Sequence, residues 1–475
     1  MNPTLPRIIQ GGMGVAVSSW RLARAVSLRG QLGVVSGTAI DAVVARRLQL
    51  GDPGGDLRKA FAAFPVPAVA RRVWQRYYIE GGKPPGKRFR SKPVPSVKMP
   101  PALLDLLVVA NFSEVFLARQ GHDGLVGVNL MEKIQLPNLA SLFGAMLAGV
   151  DAVLMGAGIP RGIPAILDRF SRCEPAELKL DVAGALPGEE FHTTFDPAPY
   201  LAPGITSLKR PRFLPIVSSS TLAMTLARKS SGQVDGFIVE GHTAGGHNAP
   251  PRGGLTLDQN NEPVYGKRDV PDLEQIRNLG LPFWMAGSYG DATGLKRAEA
   301  IGAHGIQVGT AFAFCDESGM APELRQSVVQ AACEGAVKVV TDPRASPTGF
   351  PFKVVGVDGT VSDPAIYVAR ERVCDLGVLR QCYRMPDGSV GYRCSGEPLE
   401  DYQRKGGTEA ETVGRKCVCN GLMAAAGYGQ VLHGGGVEPS LVTAGDETSQ
   451  IRNFLRPGRT SYSADDVLDC LLGIA

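Results

Sequence analysis

The residues best suited to chemistry stand close together at 240–247, which read EGHTAGGH. His247 carries the one side chain whose ordinary titration falls near neutral pH, so it can hold, accept or pass on a proton. Gly245 and Gly246 precede it, and a glycine-rich loop lets backbone approach a flat or anionic ligand because no Cβ stands in the way. The loop follows an apolar run at 236–239 that reads as a buried strand. A polar, glycine-rich turn at the end of a buried strand is a place for a ligand, and His247 is the candidate catalytic residue there. A lone histidine in such a turn is more often a satisfied imidazole, so the weight of the reading falls on what accompanies it.

Other strand ends supply that company. Gln10-Gly11-Gly12-Met13-Gly14 follows the first apolar run, and its glycines suit close approach of a ring system, with Gln10 free to hydrogen-bond it. Their spacing is not the dinucleotide pattern G-x-G-x-x-G. Asn129 closes a third run with an amide that both donates and accepts, the pairing a flavin pyrimidine edge asks for. Ala286-Gly287-Ser288-Tyr289-Gly290 leads into a helix-like segment, and Gln307-Val308-Gly309-Thr310 ends the last run. Amide groups at a helix start, with hydroxyls from Ser288 and Thr310, form an anion site. In α/β barrels a phosphate is often held by the loops after the seventh and eighth strands.

The elements that position these turns are legible as short apolar runs at 7–10, 32–36, 125–130, 152–155, 213–217, 236–239, 282–286 and 305–308. Helix-like segments at 20–29, 138–148, 221–228, 292–301 and 322–333 lie between them. Continuous apolar strands interleaved with helices indicate a parallel sheet covered by helices. The count of eight fits a closed barrel, although periodicity alone does not separate a barrel from an open sheet. The chain has 475 residues, 44% hydrophobic and 20% charged, with 50 Lys plus Arg against 46 Asp plus Glu. That near-neutral balance gives no footprint for nucleic acid. No uninterrupted apolar run approaches the length of a membrane span, and residues 1–7 show no signal-peptide pattern. Together with nine cysteines, an odd number, this points to reduced thiols in a cytoplasm.

Taken in order, IIQGGMG, VGVNLM, EGHTAGGH, MAGSYG and IQVGTAF resemble the nitronate monooxygenase family, formerly called 2-nitropropane dioxygenases, which includes flavin-dependent enoyl-acyl-carrier-protein reductases. The resemblance covers roughly residues 6–318. It implies an FMN-binding (β/α)8 TIM barrel at 1–340 with insertions at about 51–101 and 181–212, and a C-terminal α+β extension at 341–475 packed on the barrel. It implies that Gln10, Gly11, Met13 and Asn129 line the flavin ring. Gly245, Gly246, Ala286, Gly287, Ser288, Gly309 and Thr310 would hold the ribityl and phosphate end, and His247 matches the family's active-site histidine. Gly287-Ser288 departs from the family's two consecutive glycines. The implied activity is oxidation of a small anionic nitronate with dioxygen. The alternatives are reduction of an enoyl thioester by NAD(P)H, and a non-catalytic binding protein on the same barrel.

Three regions lie outside the barrel rhythm. Residues 51–101 hold a helical piece at 57–78 and then a proline-rich, strongly basic piece. They read as a solvated excursion, an arm between copies of a homo-oligomer, or a docking surface for an acidic carrier protein or acyl thioester. Residues 181–212 read as a long loop of the kind that often forms a lid. After about residue 340, hairpin-like turns at 357–359 and 386–388 precede helical patches at 413–427 and 464–472. The extension also gathers Cys374, Cys382, Cys394, Cys417 and Cys419. With no C-x-x-C among them, buried thiols or redox-sensitive pairs are expected there rather than a metal site. No metal is expected at His242 and His247 either, since that loop offers no further ligand at suitable spacing.

Overall fold

The computed structural model describes residues 5–474. Eight parallel strands form its centre: β1 (Ile8–Gln10), β2 (Gly33–Ser36), β3 (Val126–Met131), β4 (Ala152–Gly156), β5 (Arg212–Val217), β6 (Phe237–Glu240), β7 (Phe283–Ala286) and β8 (Gly305–Val308). Each lies within one residue of an expected apolar run. Their order in the sheet is β1-β8-β7-β6-β5-β4-β3-β2. A parallel bridge from Ile9 to Leu32 joins the two ends, with Gln10 N–H donating to Leu32 O at 2.9 Å and Leu32 N–H to Ile8 O at 3.1 Å. The sheet is therefore a closed TIM barrel.

The strands are apolar on both faces because both faces are covered. Ile9, Leu32, Val34, Leu154, Leu214, Ile238 and Trp284 fill the barrel interior, and Trp284 donates its indole N–H to Pro6 O at 2.8 Å. Their neighbours Ile8, Val35, Val153, Phe213, Phe237 and Ile306 face outward into the larger core beneath the helices.

Helices Trp20–Leu28, Gln135–Leu147, Ser220–Lys229, Gly294–Ala300 and Pro322–Cys333 match the expected segments. Ile40–Gln49, Pro101–Ala118 and Ile163–Ser171 are additional. Pro101–Ala118 is long and apolar enough to cross a membrane by length and composition, but 78% of it is buried. It is a core helix, and being apolar all round it carries no amphipathic period for the sequence reading to detect.

The two insertions differ from expectation. Residues 57–78 form two helices, Asp56–Ala62 and Pro67–Tyr77. The proline-rich piece after them is a strap held under the extension. Phe89 N–H donates to Gln430 Oε1 at 2.8 Å, Val97 N–H to the Tyr392 hydroxyl at 2.7 Å, and buried Lys92 pairs with Asp41 at 2.8 Å. The expected loop at 181–212 contains one strand of an antiparallel hairpin, Ala176–Lys179 with His192–Phe195. Phe195 packs on Phe143, Phe170 and Tyr200 on the outer helical layer. This aromatic cluster draws the segment away from the strand ends, and it contributes no residue to the central cavity. The lid expectation is thereby corrected.

In the extension, strands Val339–Asp342 and Phe352–Val355 pair antiparallel, as do Gln381–Arg384 and Val390–Arg393 around the expected turn at 386–388. The turn at 357–359 is not a hairpin. It leads into helix Pro364–Ala369, whose N-terminus is capped by Asp363. Helices Val418–Ala425 and Ala464–Leu472 fall where helical patches were expected.

Candidate functional site

The C-terminal ends of the strands open into a cavity of about 220 Å³, room enough for a ligand with a ring system. Gly11, Met13 and Asn129 reach it from β1 and β3. Gly245, Gly246 and His247 reach it from the loop after β6, and Ala286, Gly287, Ser288, Gly309 and Thr310 from the ends of β7 and β8. The structure thus brings together eleven of the twelve sequence-derived site residues.

The exception is Gln10. Its side chain is fully buried, donating to Ser18 Oγ at 2.8 Å and accepting from Val34 N–H at 2.9 Å. It ties β1 to β2 and does not line the cavity, so the expectation that it contacts a ring is corrected. The reason is register: Gln10 points into the wall while Gly11 turns out of it.

Glycine makes the room. A Cβ on Gly12 would lie 2.1 Å from Asn129 Cβ, and one on Gly287 would lie 2.8 Å from Thr243 Oγ1 at a backbone φ of +83°. Ser288 follows at φ +61°, a left-handed conformation that a second glycine would adopt without cost. The polar groups at this end are under-satisfied. Asn129 Nδ2 donates to Gly12 O at 3.3 Å, while Asn129 Oδ1 and Gln307 Oε1 are buried with no hydrogen-bond partner. Buried acceptors of this kind carry a free-energy cost unless a ligand supplies the donor. Such an oxygen beside a glycine-lined wall fits the single pyrimidine N–H of a flavin ring, which could satisfy one of the two. Gln307 had no role in the sequence-based site; a polar residue inside the otherwise apolar run GIQV is the signal for it.

His247 stands at the rim. Its Nε2 lies 2.6 Å from Ser346 Oγ, which in turn lies 2.8 Å from Thr348 Oγ1, and its ring meets Phe352 edge-on at 4.8 Å. The loop is stitched to the extension by Asn248 N–H to Pro351 O at 2.9 Å and Lys353 N–H to Gly246 O at 3.0 Å. Burial pushes the imidazole pKa down to about 4. It is neutral at pH 7, which corrects the expectation of a near-neutral pKa and removes the cationic form as an anchor for an anion. His242 lies apart from this site, its ring stacked on Tyr265 at 4.3 Å.

Two carboxyls that the sequence reading did not single out line the same cavity. Glu240 ends β6, and burial raises it to about 8, so it keeps its proton at pH 7. A glutamate closing the otherwise apolar strand FIVE was the sequence signal. Glu447 comes from the extension and accepts from Gly290 N–H at 3.2 Å; burial raises its pKa too. Around it, Gly445 N–H donates to Thr310 Oγ1 at 2.9 Å and Gly246 N–H to Thr443 Oγ1 at 3.0 Å. The expected open anion cup is therefore partly taken up by residues 443–447. No Lys or Arg side chain lines the cavity among the described residues.

Residues 193–346, which include His247, match the family model described as Nitronate monooxygenase. The chain is similar to a probable nitronate monooxygenase of Staphylococcus haemolyticus (strain JCSC1435), 31% identical over 127 residues, covering 26% of this chain and 34% of that one. It is likewise similar to a probable nitronate monooxygenase of Bacillus subtilis (strain 168), 31% identical over 138 residues, covering 29% and 37%. The chain thus spans about a third of the length of these curated relatives. Among solved structures, FabK from Thermotoga maritima superposes with a TM-score of 0.48 at 16% identity, covering 98% of this chain and 92% of that one. Nitroalkane oxidase from Streptomyces ansochromogenes does so with a TM-score of 0.45 at 14% identity, covering 98% and 95%. The resemblance read from the sequence to the nitronate monooxygenase family stands over residues 193–346.

Proposed function

We propose that the protein is an FMN-dependent oxidoreductase that oxidises a nitronate or a related small anion with dioxygen at this cavity. The reading is carried by one coincidence: the family-matching segment delivers His247 to the same cavity in which Asn129 Oδ1 and Gln307 Oε1 wait for a donor. A bound flavin would supply two-electron transfer and reaction with dioxygen.

The chain's own residues do the rest. One of the two amide oxygens, Asn129 Oδ1 or Gln307 Oε1, would accept from the ring's single pyrimidine N–H, and the bare backbone at Gly12 and Gly287 would let the ring lie close. His247, held through Nε2 by Ser346, would present a neutral imidazole to the substrate. With no Lys or Arg in the wall, an anionic substrate would be bound by dipoles rather than by a charge. Glu240, protonated at neutral pH, is the group able to donate a proton.

Glu240 also favours a second reading, reduction of an enoyl thioester by NAD(P)H, in which the substrate carbon beside the carbonyl must receive a proton. The exposed Arg71, Arg76 and Lys87 of the insertion are then the surface an anionic carrier protein or coenzyme A would meet, whereas Lys92 is consumed by Asp41.

Absorption spectra taken anaerobically separate the readings. A nitronate that bleaches the yellow protein, with oxygen uptake on readmitting air, supports the first. Bleaching by NADH or NADPH, reversed by a crotonyl-type thioester, supports the second. A colourless protein that cannot be reconstituted with FMN would sink both and favour a non-catalytic binding role.

A further inference from the structure

The extension holds a group of buried sulfurs for which the proposed reaction has no use. Its folding draws three separate stretches together. The Asn420 amide donates to Val373 O at 2.7 Å, which sets residues 373–374 beside the start of helix Val418–Ala425. A Cβ built on Gly396 would lie 3.2 Å from Lys416 O and 3.7 Å from Cys394 Sγ, so the turn at 394–396 rests on the same place. Within the group, Cys417 and Cys419 are close neighbours, and Cys374 and Cys394 lie within electrostatic reach of them. Cys382 does not join them; its charged neighbours are Arg380 and Asp181.

We propose that Cys374, Cys394, Cys417 and Cys419 are the ligands of a thiophilic metal centre, a zinc ion or an iron–sulfur cluster, that fastens the extension over the cavity.

Three observations support a tetrathiolate rather than four ordinary buried thiols. First, the sulfurs face donors. The peptides of Gly377, Gly396 and Asn420 lie beside the sulfurs of Cys374, Cys394 and Cys417, and the buried Arg370 guanidinium lies beside Cys417 while pairing with Glu438 at 2.7 Å. Cys417 is also the N-cap of helix Val418–Ala425, whose first amide groups lack intrahelical acceptors. Donors arranged this way stabilise metal-bound thiolates. Glu397 is the opposing charge, accepting from Cys394 N–H at 3.2 Å and neutralised by Lys405 at 2.7 Å.

Second, the surrounding structure has little else to hold it. Across residues 381–416 the buried apolar side chains are Cys382, Cys394 and Tyr402 alone. A hairpin and two helices of six and four residues on so small a core are of the kind that metals staple. Third, four sulfur ligands are the set that zinc and iron–sulfur clusters take. Among the described residues no three such groups yet converge as a formed cage, so closing the site requires rotation of cysteine side chains between staggered wells. On metal binding the S–H bonds give way to metal–sulfur bonds and the protons pass to solvent; with zinc no electron moves.

The helix bearing two of the ligands also presents Val418, Cys419 and Leu422 to the cavity, so the centre would fix part of the cavity's wall. The inference does not depend on the flavin reading. It is tested on the full-length protein purified anaerobically, by measuring zinc, iron and acid-labile sulfide per chain. About one zinc, or about two to four irons with matching sulfide, is expected. Cys374→Ser, Cys394→Ser, Cys417→Ser and Cys419→Ser should each lower the bound metal at least about five-fold, while Cys382→Ser retains it. If the serine variants fail to fold, the measurement on the unaltered protein decides. Less than about 0.1 equivalent of either metal, with none taken up by the reduced protein from zinc alone or from iron with sulfide, overturns the proposal. A Cys417–Cys419 disulfide in most anaerobically prepared chains, or equal loss of metal in Cys382→Ser, does the same.

Discussion

The barrel mouth and the roof laid over it build one cavity by opposite means. The mouth works by subtraction: Gly11, Gly12, Gly287 and Gly309 leave space, and the amide oxygens of Asn129 and Gln307 are left without partners. The roof works by addition. Ser346 holds His247, Thr443 and Glu447 take amide groups of the β6 and β7 loops, and Phe352, Val378 and Leu422 close the apolar side. The barrel therefore decides what shape can enter, and the extension decides how the polar groups around it are oriented.

The severest break in that division is to refill the mouth. Gly12→Ala places a Cβ 2.1 Å from that of Asn129, against a strand that has no slack. Overpacking of this kind costs about 1–3 kcal/mol, and displacing Asn129 should reduce bound flavin at least about ten-fold. Thermal melting and the flavin absorbance of the purified variant check it. A variant with unchanged flavin content would show that Asn129 does not face the ring.

The next break separates a mouth residue from the roof residue that steers it. His247→Ala should keep the flavin and lower turnover about 10²–10⁴-fold, the range for loss of a proton-transfer or positioning group. Ser346→Ala removes the hydrogen bond to His247 at 2.6 Å, worth about 1 kcal/mol, together with the contacts of the same hydroxyl to Thr348, and should lower turnover about five-fold. Steady-state kinetics on both variants give the ratio. Equal losses would mean that the roof, not the imidazole, carries the chemistry.

How far the sequence reveals the two regions follows from the same contrast. The mouth is written locally: each strand is a continuous apolar run and each site turn is a glycine cluster beside it, so strands and turns can be read without knowing their partners. Gln10 misled because its neighbours set the pattern while its own register turned it into the wall. The roof is written in long-range pairings. His247 with Ser346, Gly290 with Glu447 and Phe89 with Gln430 are separated by 99, 157 and 341 positions, and no local pattern announces them. Helix Pro101–Ala118 was missed for a related reason: burial on nearly every side erases the periodicity that exposes a helix. The depressed pKa of His247 was equally out of reach, since burial causes it and burial is a property of the assembled site.

pH sharpens the comparison by acting on the two mouth groups in opposite directions. The Glu240 carboxyl, ordinarily near 4.5, holds its proton to about 8 in the folded chain. Between those values the folded state binds more protons than the unfolded state, so this group's contribution to stability is present below 4.5 and is lost as pH rises to 8. His247, ordinarily near 6.5, is lowered to about 4, so its contribution is present above 6.5 and is lost as pH falls to 4. Glu240→Gln should flatten the decline that this carboxyl imposes on the melting-temperature profile between about pH 4.5 and 8, and leave in place the rise that His247 contributes from about pH 4 to 6.5. If Glu240 is the proton donor, the same substitution abolishes the fall in turnover centred near pH 8. A profile that the substitution does not alter would remove Glu240 from both roles.

The smallest effect concerns the one place where roof and mouth compete. Glu447 sits on Gly290 N–H, in the loop where the sequence expects a phosphate. Burial raises its pKa while the hydrogen bond from Gly290 opposes that rise, and in its ionised form the carboxylate repels any anion brought to the loop. Glu447→Gln keeps the shape and removes the charge. FMN and riboflavin differ only by the phosphate, so the substitution should tighten FMN about five-fold, worth about 1 kcal/mol, and leave riboflavin unchanged. Fluorescence titration of the apoprotein with both flavins measures the difference. An equal change for both would place the phosphate elsewhere and leave Glu447 as a clamp between extension and barrel; weaker FMN binding would mean that the protonated carboxyl donates to the phosphate, turning competition between the two regions into cooperation.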